Sequence, residues 1–134
     1  MHRSKVPLGF VLVLVTLLLA SCSTNLVPPG WSLLAQQEIA FVRERETIPI
    51  PAARPAVSKL LLLAKMNDVE VMGLRVLFAS GAVHEPDVRD RLQVGRDTLV
   101  LDLPGELRRV QEVILKFRKL NNAARRAVIE VWGK

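Results

Sequence analysis

A chain of 134 residues, half of them apolar, with a formal net charge of +6 is the size of one globular domain. Its single cysteine excludes an intramolecular disulfide, and two histidines are too few for a zinc site of the usual Cys/His kind. Tyrosine is absent and other aromatics are few, so a broad stacking platform for sugars or bases is not expected.

The first elements are those of an export signal. Met1-His2-Arg3-Ser4-Lys5 is short and basic, and an apolar run follows from Val6 to Leu19. That run is shorter than the roughly 20 residues a spanning helix needs, and small residues follow it, as in a cleaved signal peptide. Leu19-Ala20-Ser21-Cys22 resembles the bacterial lipobox. The resemblance implies cleavage between Ser21 and Cys22, with diacylglyceryl transfer to the Cys22 thiol. Several acyl chains make a stable anchor where one is marginal. Residue 23 is Ser and not Asp, which resembles the outer-membrane sorting class of diderm bacteria. The expected organisation is a signal peptide over 1–21, a lipidated tether over 22–30 and a β domain over 31–134. The expected location is the outer membrane, facing the periplasm.

Loss of residues 1–21 removes Arg3 and Lys5 and leaves a mature charge of +4 over 113 residues. Such a balance suits anionic partners in an envelope, namely lipid head groups or acidic polysaccharide, whereas nucleic acid is not expected there. Pro28-Pro29-Gly30 can join neither a helix nor a central strand, which marks 23–30 as the tether.

Beyond Gly30 the chain reads as short β segments between turn signals. Trp31 to Val42 is a first strand region whose alternation is blurred at Leu33-Leu34 and Phe41-Val42. Glu44 to Pro51 contains Ile48-Pro49-Ile50-Pro51, where prolines remove ladder donors, so an edge strand or extended loop is expected. Ala52 to Ala56 is a turn. Val57 to Met66 puts Leu60, Leu62, Ala64 and Met66 on one face, with Lys59, Leu61, Leu63 and Lys65 on the other. Asn67-Asp68 turns the chain. In Val69 to Phe78, Val69 and Val71 share one phase, while Met72, Leu74, Val76 and Phe78 share the other. A period of two that slips by one residue implies a bulge, with Gly73 well placed for it. Ser80-Gly81 and Gln93 to Asp97 are turns, and Thr98 to Leu103 alternates cleanly.

The C-terminal part fits two patterns. Leu107, Val110, Ile114, Phe117, Ala124, Val128 and Val131 have helical spacing. Val113, Leu115 and Phe117, then Ala127, Ile129 and Val131, fit two strands with a hairpin turn at Asn121-Asn122. The regular short strands upstream favour an all-β, antiparallel two-sheet sandwich of about seven to nine strands.

Five segments carry a further resemblance: Glu44-Thr47-Ile48-Pro49, Asn67 to Val71, Leu74 to Phe78, Asp87 to Arg89 and Val128 to Gly133. Through them, Leu34 to Gly133 resembles a family of small exported bacterial β-sandwich domains of uncharacterised function. The resemblance implies two strands for the C-terminal part and no active-site residues. The chain departs from the family's turn sequences at Ala52 to Ala56 and at Leu120 to Ala124.

Chemistry-bearing residues are sparse. No nucleophile-elbow sequence accompanies His84, which reads as an exposed turn residue. Glu85, Asp87 and Asp90 interleave with Arg89 and Arg91, which favours local ion pairing over a calcium site. Neither an enzyme activity nor a metal or other cofactor is expected. Lys116, Arg118, Lys119, Arg125 and Arg126 are expected to gather at one end of the sandwich and to meet phosphate or carboxylate groups. Trp132 lies out of phase with Ile129 and Val131, so it covers an outer face or packs against Trp31. The expected function is a membrane-anchored, non-catalytic envelope lipoprotein that binds a protein partner, an anionic glycan or a lipid. The alternative is a glycan-binding module for peptidoglycan or polysaccharide.

Overall fold

The computed structural model describes residues 26–134. The expected signal peptide, with the expected cleavage and lipidation positions Ser21 and Cys22, lies outside them. Nine strands form among the described residues: β1 (Ser32–Ala40), β2 (Arg45–Pro49), β3 (Lys59–Lys65), β4 (Val69–Phe78), β5 (Val83–His84), β6 (Asp90–Leu92), β7 (Leu99–Asp102), β8 (Val110–Lys119) and β9 (Arg126–Gly133). They make two antiparallel sheets. Sheet I has the order β1-β9-β3-β7, and sheet II the order β2-β8-β4-β5, with β6 also paired to β4. The expected two-sheet sandwich is the observed fold, and the C-terminal part is strand throughout its regular segments.

The core lies between the sheets and follows the period of two. Leu60, Leu62 and Ala64 of β3 and Ala127, Ile129 and Val131 of β9 face Val113, Leu115 and Phe117 of β8 and the inward residues of β4. Removal of each such large side chain from water contributes about 1.5–3 kcal/mol. Phe117 meets Phe41 edge-on, with ring centroids 6.0 Å apart.

Irregular alternation marks bulges. In β1 the register slips between Leu33 and Ala35, so Leu34 and Ala35 both turn towards the core. In β4 it slips between Val71 and Gly73, which lets Val69 and Val71 share the interior with Leu74, Val76 and Phe78. Pro49 sits in β2, an edge strand of sheet II, where a missing N–H breaks no ladder. Ser80-Gly81 closes the β4–β5 hairpin, with Gly81 at φ 91° and its N–H donated to the Phe78 carbonyl at 2.9 Å.

Three expectations need correction. Met66 does not extend the core face of β3. It is exposed in the turn after the strand, at φ 73°. His84 lies in β5 opposite Val76 and is half-buried, not in an exposed turn. Asn121-Asn122 does not close a hairpin, because β8 and β9 do not pair. They belong to opposite sheets, and the connection arches over the end of the sandwich.

Leu26 and Val27, which the sequence places in the tether, pack on the domain. Val27 is buried with Leu61 and Leu63 on the outer face of sheet I, and Leu26, Trp31 and Trp132 pack around them. Leu61 and Leu63 thus form a second, smaller core beneath an N-terminal strap.

Candidate anion-binding face

The two outer faces differ in chemistry because alternate residues of β3 and β9 point to one and alternate residues of β2, β4 and β8 to the other. The outer face of sheet I is apolar at its centre. Beside the strap lies a groove of about 600 Å³ that Leu26, Leu63, Lys65, Val94, Glu130 and Trp132 help to line. Glu130 is buried there, yet both of its oxygens have partners. One accepts from Trp132 Nε1 at 2.9 Å, and the other lies 2.9 Å from Lys65 Nζ.

The outer face of sheet II is basic. Arg45 of β2, Lys116 of β8 and Gly73 of β4 are neighbours in one row across the sheet. Thr47, Ile114 and Arg75 form the next row. Together with Glu85 these residues line a shallow groove of about 180 Å³. Arg75 Nη2 lies 3.4 Å from Glu85 Oε2. Arg45 and Lys116 form no ion pair among the described residues.

A third row holds Arg118, Glu70 and Arg91. Glu70 is buried, and its carboxylate accepts hydrogen bonds from Arg118 Nε and, at 3.4 Å, from Arg91 Nε. Burial alone would raise this carboxyl's pKa. The hydrogen bond and charge of Arg118, the Arg91 hydrogen bond and the charge of Arg89 outweigh that and hold it below the ordinary carboxylate value. Glu70 is thus a fixed counter-ion within the basic face.

The five basic residues singled out from sequence flank the arch at one end of the sandwich, but they do not share a face. Lys116 and Arg118 face outwards from sheet II. Arg126 faces outwards from sheet I, where its guanidinium lies 3.1 Å from Glu38. Lys119 donates to the Asn122 carbonyl at 3.2 Å, and Arg125 sits in the arch, exposed. Placement of β8 and β9 in opposite sheets is the reason. Arg45 and Arg75, which do join Lys116, were missed because only the strand register brings them together.

The acidic loop residues are spread as well. Glu85 pairs with Arg75, and Asp90 accepts the Arg91 backbone N–H at 2.8 Å. No group of three or more His, Cys, Asp or Glu side chains is arranged for a metal ion among the described residues.

Fold and surface together define a small two-sheet β-sandwich domain with one strapped face and one basic face. The chain matches the model of the domain of unknown function DUF2541 over residues 11–133, and it belongs to that family. No functionally curated protein matches it. Among solved structures it is similar to Pseudomonas aeruginosa AlgX, with a TM-score of 0.50 and 8% identity. The likeness covers 79% of this chain and 27% of AlgX, and at that identity it reports the fold alone.

Proposed function

We propose that this protein is a lipid-anchored, non-catalytic envelope protein that holds an anionic envelope component on the outer face of sheet II. The observation that carries the reading is the unpaired charge of Arg45 and Lys116 beside Arg75 on an open face. Exposed cations that form no ion pair attract anions over a range that salt shortens.

The anchor agrees with this arrangement. Cys22 to Leu26 has a contour of at most about 14 Å, and Leu26 packs on the outer face of sheet I. A lipid on Cys22 therefore holds sheet I towards the membrane and leaves sheet II open to the envelope. The role is binding and not catalysis. The buried carboxyl of Glu70 is held in its charged form by arginines, as a counter-ion and not a general acid.

The test uses the native chain. Wild type is expected to fractionate with the outer membrane, to carry an acyl label and to retain anionic polymer from its own envelope. Retention should fall as salt rises. Cys22→Ala should lose both the label and the membrane fractionation. Replacement of Arg45, Arg75 and Lys116 together by Gln should abolish retention without loss of the anchor. Retention that is indifferent to salt and to these three residues would overturn the reading.

A further inference from the structure

The groove between β2, β8 and β4 has two chemical halves. Arg45 and Lys116 supply unpaired charge at the rim, joined by Arg75 in its pair with Glu85, while Ile114 supplies a half-buried apolar floor. Gly73 leaves the row open where any other residue would place a side chain. A Cβ there would lie 3.7 Å from Lys116 Cβ, in ordinary contact, so the backbone makes no demand for glycine. Its φ lies outside the left-handed region as well. The missing side chain instead leaves space beside Lys116.

A phosphate or carboxylate alone would use only the rim. A membrane surface would need a broad, flat approach, but the proposed anchor lies on the opposite face of the sandwich. The outer two of the three strands stand about 10 Å apart, which is the breadth of one sugar ring with its substituents. Arginine forks match carboxylate and phosphate oxygens, and lysine adds a point charge. The Thr47 hydroxyl and the Glu85 carboxylate are at the groove to meet sugar hydroxyls.

We infer that this groove is a binding site for an acidic sugar residue, its carboxylate or phosphate held between Arg45, Lys116 and Arg75 and its ring laid over Ile114 beside Gly73. The inference rests on the reading of sheet II as the binding face, and it names the ligand class and the place.

The experiment is calorimetric titration of the full-length protein in detergent with four probes: tri-galacturonate, glucose 6-phosphate, maltotriose and inorganic phosphate. One or both acidic sugars should bind, which also distinguishes a carboxylate from a phosphate ligand. Maltotriose should not bind, and inorganic phosphate should bind at least tenfold more weakly. The double variant Arg45→Gln/Lys116→Gln should weaken acidic-sugar binding about tenfold or more, as expected for loss of charged hydrogen bonds. Gly73→Val should weaken it similarly by filling the groove, with an unchanged or higher thermal midpoint, since a β-branched residue suits a strand. A charge-matched control on sheet I, Lys59→Gln/Arg126→Gln, should bind as wild type. Equal loss in that control would reduce the effect to net charge and overturn the site. Inorganic phosphate as tight as the sugars would overturn the sugar assignment. If neither acidic sugar binds while envelope polymer is still retained through sheet II, the groove assignment fails and the proposed function stands. Loss of salt-sensitive retention as well would remove both.

Discussion

Glu70 of β4 and Arg118 of β8 stand directly opposite one another in the strand register, and the guanidinium donates to a carboxylate that is itself buried. Arg91 approaches the same carboxylate from β6, so one acid holds two strands to β4. The folded-state pKa of Glu70 is depressed, so its contribution to stability is present above the unfolded-state pKa and is lost as pH falls through the folded value. Chemical denaturation from neutral pH into the acid range should therefore show wild type losing stability below the ordinary carboxylate pKa. Glu70→Gln should be less stable at neutral pH and lose less on acidification. An unchanged acid limb in the variant would show that other carboxyls set it.

Gly133 marks a point of close approach. A Cβ there would stand 2.6 Å from Val57 Cγ1 and 2.7 Å from Leu34 Cδ1, both buried side chains. Neither can retreat into solvent, so Gly133→Ala should cost about 1–3 kcal/mol, in the range of overpacked cores. Urea denaturation should show the loss, and a second change of Val57→Ala should recover part of it by making room. The same Gly73→Ala change, against a contact of 3.7 Å, should be neutral or stabilising.

These contrasts show which features local sequence carries. Alternation in β3 and the slip at Gly73 in β4 depend on neighbours along one strand, and both faces were readable from them. Proline in β2 narrows that segment to an edge strand or an extended loop for the same local reason, and it is an edge strand. The sheet to which a strand belongs depends on partners far away in the chain. β8 and β9 look like a hairpin because each alternates and Asn121-Asn122 lies between, yet each pairs elsewhere. A period of two identifies the buried face without identifying the sheet, so the sequence pattern groups Arg126 with Lys116 although they face opposite ways. Arg45 and Arg75, 30 residues apart, meet only through β8. Met66 broke phase because the backbone leaves the strand at Lys65, and nothing in its own type signals a left-handed conformation.

That conformation gives a stabilising prediction. Met66 is exposed and adopts φ 73°, which costs an ordinary L residue roughly 1–2 kcal/mol. Glycine removes that cost but adds backbone entropy to the unfolded chain. Met66→Gly should gain on the order of 0.5–1 kcal/mol in thermal or urea denaturation, and Met66→Asn somewhat less. Met66→Val should be destabilising, since a β-branched residue tolerates positive φ poorly.

The strap over sheet I can be tested through the two tryptophans. Trp31 and Trp132 both pack around Val27, Leu61 and Leu63, and together they are all the tryptophans of the chain. Val27→Asp would bury an unpaired carboxylate against Leu61 and Leu63, so the strap should lift instead. The inter-sheet core does not include these residues, and the sandwich should remain folded. Tryptophan emission should shift to the red, and stability should fall by about 1–3 kcal/mol, the cost of uncovering a small apolar cluster. By contrast, Leu62→Ala, in the inter-sheet core, should cost about 2–5 kcal/mol with little change in emission. If Val27→Asp leaves the emission unchanged, the strap does not shield the outer face of sheet I, and a lipid on Cys22 would not hold that face towards the membrane.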